Sequence, residues 1–338
     1  MSSPDNHLTS APSSSAAEPE AASPSAAGSG AADSSAPESV SSGHSSLGPG
    51  SSGFGAAPLA TEHGARVISE RRGVALGVGG VRLHYELRGA EDSPPLLLIR
   101  GLARHLLHWG ELTPLLERDF RLILFDNRGM GRSDVPPPPY TTRVMADDAA
   151  RLLNQVGYGQ VDVFGMSLGG MIAQELALRH PKRVRRLVLG CTRSGPGGGP
   201  RIAPRVIWRM LSAGRLPPDE AMARTASLAL TRDFIARRPE VVESWRDLAR
   251  ELPPSKRGFL GQLLAGATHR TTGRLHQLTQ PTLVLTGDAD ELIHADHSRS
   301  LARAIPGARL ELLPGAGHDF STEQPERTAE LLREFLLS

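Results

Sequence analysis

From residue 73 onward the chain alternates between two hydrophobic periods. Short apolar runs of strand length give way to longer stretches whose apolar residues recur every three or four positions. "GVALGVGGVRLHYELRG" predicts two strands turned at Gly79-Gly80, a hairpin dipeptide. "PLLLIRG" is continuously apolar and closes on glycine, the pattern of a strand buried on both faces. "HWGELTPLLERD" predicts a brief helix and "FRLILFDNRG" the next strand. "TTRVMADDAARLLNQVG" spaces Val144, Met145, Ala149 and Leu152 at helical intervals, with Thr142 as N-cap and Gly157 as stop. Strand "QVDVFGMS", helix "LGGMIAQELALRH" and strand "VRRLVLGCT" come next. The C-terminal part repeats the alternation in "PTLVLTGDAD", "HSRSLARAIPG", "ARLELLPGAGH" and "TAELLREFLLS". This order predicts an α/β fold: a mostly parallel sheet with helices on both faces.

Two regions depart from it. Residues 194–277 open with "SGPGGGP" and then read as helices and loops, although strands of the same sheet flank them. Such an excursion near the strand ends predicts an inserted helical lid over a ligand crevice. Residues 1–64 are Ser, Ala, Gly and Pro with six acidic residues and no Lys or Arg. They hold too little apolar surface to offset their ordering entropy, so a disordered tail is expected. The expected organisation is therefore a tail (1–64), a core (65–193 and 278–338) and a lid (194–277).

Charge and composition narrow the function classes. The net charge is +2, so the part after the acidic tail carries +8, nearly all of it arginine. "RHPKRVRR", Arg179 to Arg186, lacks aromatic interleaving and any nucleic-acid motif; a solvated helix end is expected, with no nucleic-acid partner. No segment combines a basic start with a long apolar run, so a soluble cytoplasmic protein without membrane insertion is expected. Cys191, the single cysteine, excludes an intrachain disulfide and reads as a small buried core residue. "SGPGGGP" lacks the Lys-Ser/Thr of a phosphate loop, and no cofactor or metal is expected.

The chemistry concentrates on one turn. "GMSLG", Gly165 to Gly169, fits G-x-S-x-G between a strand and a helix. A serine on so sharp a turn adopts an unfavourable backbone, and side chains at 165 and 169 would collide, which calls for glycine at both. Ser167 is thus a candidate nucleophile, with the positive end of the next helix behind it. A hydroxyl needs a base, and a base works best when a carboxylate holds it. His318 in "PGAGHDF" follows the last strand at the same sheet edge. His269, His276, His294 and His297 are expected to be solvent-exposed. The acid is Asp288 or Asp290 in "LVLTGDAD"; Asp288 suits the turn itself. No Asp or Glu occurs between Cys191 and Pro218, which closes the alternative position.

Four motifs in order, "LLLIRGLA", "FDNRGMGRSD", "GMSLGG" and "GDADELI…PGAGH", resemble the α/β-hydrolase superfamily in its small-molecule esterase and lactonase branch, over residues 73–337. The resemblance implies an eight-stranded, mostly parallel sheet with a helical cap inserted after the sixth strand. It favours Asp290 as the acid, assigns the oxyanion hole to the backbone N–H groups of Leu102 and Leu168, and gives Arg128, Ser133 and Asp134 a scaffolding role. Where many relatives have His-Gly, this chain has Arg100-Gly101; a structural role for Arg100 is expected, with contact to an anionic substrate as the alternative. The implied activity is hydrolysis of a carboxylic ester or lactone of a small, largely apolar molecule through an acyl-enzyme. The expected pocket is formed by Ala103, Leu292 and Ile293 with Trp208, Met210, Leu211, Phe234 and Trp245 from the lid. Arg201, Arg205, Arg209 and Arg215 either attract carboxylated substrates or form a solvated lid surface. A perhydrolase or an acyltransferase would use the same three residues, and a receptor-like module would keep them with negligible turnover.

Overall fold

The computed structural model describes residues 69–338; the expected tail lies outside the described residues, as do residues 65–68 of the expected core. Eight strands form one sheet: β1 (Ser69–Leu76), β2 (Arg82–Gly89), β3 (Pro95–Ile99), β4 (Arg121–Phe125), β5 (Val161–Met166), β6 (Val184–Gly190), β7 (Thr282–Gly287) and β8 (Arg309–Leu313). Their order is β1-β2-β4-β3-β5-β6-β7-β8. The β1–β2 hairpin is antiparallel and β2 runs antiparallel to β4; the remaining pairs are parallel. The hairpin turns at Gly79 and Gly80, both at positive φ. The continuously apolar runs became the fully buried strands β4, β5 and β7, with β3 nearly so.

The first helices are α1 (Leu112–Leu116), α2 (Thr142–Gln155) and α3 (Leu168–Arg179); α9 (Asp296–Ala304), α10 (Phe320–Glu323) and α11 (Pro325–Leu336) come after β7. Met145, Ile172 and Leu301, from α2, α3 and α9, pack in one apolar cluster on the sheet. Leu112, Leu116, Phe320 and Leu332, from α1, α10 and α11, pack in the other. The expected N-cap of α2 is displaced by one residue. Thr141 caps it, accepting from the Val144 N–H, whereas Thr142 is buried with its Oγ1 3.0 Å from His269 Nδ1. Gly157, at φ 88°, ends the turn after α2 as expected.

Between β6 and β7 lie α4 (Pro204–Ala213), α5 (Pro218–Ala229), α6 (Arg232–Arg237), α7 (Pro239–Glu251) and α8 (Lys256–Thr268). Met222, Ala226, Phe234 and Trp245 form a small apolar cluster of their own within this insertion. The buried Gln262 of α8 ties the insertion to the sheet edge: its Oε1 accepts from the Ala103 N–H and its Nε2 donates to the Arg128 carbonyl.

The arginine cluster lies at the solvent surface as expected, with Arg179 in the last turn of α3, and its guanidinium groups also find protein partners. Arg179 pairs with Asp147 at 2.8 Å, Arg185 pairs with Asp162, Arg183 donates to the Tyr158 and Gly159 carbonyls, and Arg186 donates to the Leu336 carbonyl. These guanidinium groups brace helix ends and the C-terminus because the fold supplies acceptors that a linear reading cannot see. Arg128 clamps Asp148, the Ser133 hydroxyl donates to the Asp126 carbonyl, and Asp134 pairs with Arg82, which locks the loop after β4. Among the described residues, no helix is long and apolar enough to cross a membrane.

The expectation of exposure fails for two histidines, His269 and His297, which are buried. His269 bridges Thr142 and Thr271, and His297 lies against the Gly198 carbonyl. Burial, aided by nearby arginines, lowers the His269 pKa to about 3. The unfolded chain therefore binds a proton near the ordinary histidine pKa that the folded chain refuses. Stability present above about pH 6.5 is lost progressively down to about pH 3, at about 1.4 kcal/mol per pH unit. Urea unfolding of His269→Gln is expected to show a stability loss between pH 7 and pH 5 smaller than the parent's by about 2 kcal/mol. An identical loss in both proteins would rule out His269 as the source.

Candidate active site

The strand order reverses direction around β3, because the chain passes from β3 to β4 on one side and then to β5 on the other. In open α/β sheets this switch point opens a crevice at the carboxyl ends of the strands. Ser167 stands there, between β5 and α3, at φ 57° and ψ −119°. Its N–H donates to the Gly190 carbonyl, and its carbonyl accepts from Gly170, Met171 and the Thr192 hydroxyl. These bonds hold a conformation that costs roughly 1–3 kcal/mol for a residue with a side chain.

The flanking glycines are required, one of them for a reason different from the expected collision. A Cβ at Gly165 would lie 2.3 Å from the Gly169 carbonyl oxygen, whereas a Cβ at Gly169 would lie 2.0 Å from the Ile99 carbonyl at the end of β3. The second glycine therefore serves the contact between α3 and β3. Gly101 is confined less severely, since a Cβ there would lie 3.0 Å from Ser167 Cβ.

Three distant segments meet at Ser167. His318, on the loop after β8, has Nε2 2.9 Å from Ser167 Oγ and Nδ1 2.7 Å from Asp290 Oδ2. Asp290 Oδ1 accepts from the N–H groups of Leu292 and Ile293, both at 2.8 Å, so its carboxylate is fully engaged and buried. Asp288 turns elsewhere and accepts from the Gly315 N–H, joining the loops after β7 and β8. Burial disfavours the charged imidazolium of His318, but the Asp290 carboxylate overrides it and holds the pKa well above the ordinary histidine value. Cys191 is buried beside His318, and burial raises its thiol pKa, as befits a packing residue.

The loop after β3 brings Leu102 to the same place. Among the described residues, neither the Leu102 nor the Leu168 N–H donates to a protein acceptor. The neighbouring Ala103, at φ 58°, has its N–H committed to Gln262.

A cavity of about 890 Å³ opens over Ser167 and His318, between the sheet edge and the insertion. Arg100, Ala103, Met210, Leu211, Leu292 and Ile293 line it, together with Leu102 and Leu168. Trp208 does not: it is 66% exposed on the outer face of α4. Phe234 and Trp245 pack inside the insertion instead of lining the cavity, because its small core needs them. Arg201 reaches the rim, Arg205 and Arg215 are exposed, and Arg209 donates to the Ser227 hydroxyl.

Arg100 is buried, pairs with Asp319 at 2.5 Å, donates to Ser321 and lies 4.6 Å from the Trp109 ring. Burial alone would raise the Asp319 pKa; Arg100 outweighs it and lowers that pKa. The pair joins the loop carrying Leu102 to the residue immediately after His318. Asp319 and Gln262 are the supporting residues that sequence reasoning missed. The acidic residue directly after the histidine was a signal for the first, and nothing local marked the second.

The chain belongs to a known family: a model described as alpha/beta hydrolase fold matches residues 94–325. Over 248 residues it is 36% identical to a poly(3-hydroxyalkanoate) depolymerase of Ectopseudomonas oleovorans, covering 73% of this chain and 86% of the relative. It is 28% identical to 3-oxoadipate enol-lactonase 2 of Acinetobacter baylyi, covering 73% and 90%. Among solved structures, a thermophilic esterase from Thermogutta terrifontis superposes with a TM-score of 0.69 at 30% identity, covering 79% and 98%.

Removing one member of a buried ion pair strands the other charge, at a cost of about 3–5 kcal/mol. Arg100→Met is expected to lower the unfolding free energy by that much in urea titration. A loss below about 1 kcal/mol would contradict a structural role for the pair.

Proposed function

We infer that this chain is a serine hydrolase that cleaves a carboxylic ester or lactone of a small, largely apolar molecule through an acyl-enzyme. The observation that carries this reading is the unbroken hydrogen-bonded chain from Ser167 Oγ through His318 to Asp290. That chain faces a largely apolar cavity, and two uncommitted backbone N–H groups lie beside it. The relatives named as a depolymerase, an enol-lactonase and an esterase support the same bond type.

In this mechanism Ser167 Oγ attacks the scissile carbonyl while His318 Nε2 removes its proton. The carbonyl oxygen, now negative, accepts from the N–H groups of Leu102 and Leu168, reinforced by the positive end of α3. Imidazolium then gives its proton to the leaving alkoxide as the carbon–oxygen bond breaks. Water, deprotonated by the same imidazole, attacks the acyl-enzyme, releasing the acid and restoring the Ser167 hydroxyl. Asp290 fixes the tautomer and stabilises the transient imidazolium. A cytoplasmic location is part of the same proposal.

Two experiments test it. Ser167→Ala is expected to reduce hydrolysis of p-nitrophenyl butyrate by at least about a thousandfold with an unchanged unfolding midpoint. Phosphonate labelling followed by peptide mass spectrometry should mark Ser167; an undiminished rate or a label elsewhere removes the mechanism. The second concerns pH. Because His318 must be neutral to act as base, kcat/KM should rise as pH climbs through its pKa, with the acid limb above the ordinary histidine value of about 6.5. Asp290→Asn deletes the raising charge and leaves burial, so the limb should move to lower pH as the rate falls. A limb that stays in place would show that Asp290 does not set it.

A further inference from the structure

Arg104 is a cation without an acid. It follows the loop that carries Leu102, is 8% exposed and lines the cavity over Ser167. Its Nη1 donates to the Met222 thioether of α5, and its guanidinium lies 4.3 Å from the Trp245 ring of α7. Among the described residues, no carboxylate forms an ion pair with it. Asp319 attracts it from a distance, but both Asp319 oxygens are taken by Arg100, and that pair cancels its own charge.

The adjacent histidines add no compensation. Burial depresses the pKa of His105 to about 3 and lowers that of His108 well below its usual value, so both are neutral. A second guanidinium, Arg193, lines the same cavity with its Nη2 on the Gly266 carbonyl and its buried Nε without a partner. Burial lowers the Arg104 pKa only to about 10, which leaves it charged at neutral pH. A buried charge without a counter-charge is costly, and a thioether and an aromatic face compensate only part of that cost.

We propose that Arg104 receives a carboxylate of the substrate, so that the site selects apolar esters or lactones ending in a free carboxylate over neutral ones of equal length. This rests on the serine-hydrolase reading for the reacting bond, while the carboxylate contact itself can be measured without turnover. Arg offers a planar fork that meets a carboxylate through two parallel hydrogen bonds.

The test compares two p-nitrophenyl esters of six-carbon acids, the hexanoate and the monoanionic adipate. The full-length protein should prefer the adipate in kcat/KM by about tenfold or more. Arg104→Met should remove that preference mainly through KM, while hexanoate turnover stays within about threefold; Arg104→Lys should restore part of it. Equal losses on both esters would assign Arg104 a purely structural role and overturn the proposal, as would a parent preference for hexanoate.

Calorimetry on Ser167→Ala with monomethyl and dimethyl adipate tests recognition even where Arg104→Met fails to fold. The monoanion should bind about tenfold more tightly, and equal affinities refute the site. Absence of p-nitrophenolate release from either ester by the parent would instead count against the hydrolase reading alone.

Discussion

The close approach of two main-chain segments, at the carboxyl ends of β3 and β5, is the constraint on which the rest of the molecule depends. The contact leaves no room for a Cβ at 169 and hardly any at 101, while the return of the turn onto α3 leaves none at 165. Backbone groups of the two segments therefore share one small volume, and the only side chain projecting from the turn between β5 and α3 is that of Ser167. Parallel strands make this possible because their carboxyl ends lie on one edge of the sheet. The strain at Ser167 is local, and the adjacent strand and helix absorb it through ladder and helix hydrogen bonds that form regardless.

Geometry so tight has to be held from outside, and the ties are polar. The Arg100–Asp319 pair joins the β3 loop to the His318 loop, and Asp288 joins the β7 loop to the β8 loop. Gln262 ties the β3 loop to α8, while the Asp319 N–H donates to the Ala229 carbonyl at the end of α5. Each tie joins segments remote in sequence, so the loops are positioned only once the whole sheet and its insertion are assembled. Apolar packing alone would leave these loops free to slide, because it is non-directional. Hydrogen bonds and ion pairs supply the direction.

This division explains what could be read from the sequence. The strands, the helices on both faces and the position of the insertion were legible, because buried parallel strands and amphipathic helices carry unmistakable periods. Ser167 was legible through its glycines, which record a steric demand of the local backbone. The choice between Asp288 and Asp290 was not fixed by residue pattern, since both sit in one turn and only the loop's final direction separates them. Trp208 misled for a related reason: on an amphipathic helix an aromatic residue gives no sign of which face meets the cavity. His269 and His297 were misplaced because their partners, Thr142, Thr271 and Gly198, come together only through tertiary contacts. Long-range polar ties have no period, so Asp319 and Gln262 stayed hidden.

The cavity inherits the same division between backbone and side chain. Its floor, the hydroxyl, imidazole and N–H groups, is set by turns that tolerate almost no substitution. Its upper walls come from α4, α5 and α8; α5 packs in the insertion's own small cluster, whereas α8 joins the sheet through Ala265 and Gln262. A change in Met222 or Trp245 would leave the floor intact, yet both residues hold the Arg104 guanidinium. Arg104 itself springs from the floor, three residues after Gly101. It is therefore the point where the rigid part and the variable part meet. Repacking the insertion would move a charge relative to the Ser167 hydroxyl without moving that hydroxyl, so under the proposed reading selectivity would change through that one side chain while the chemistry stayed in place.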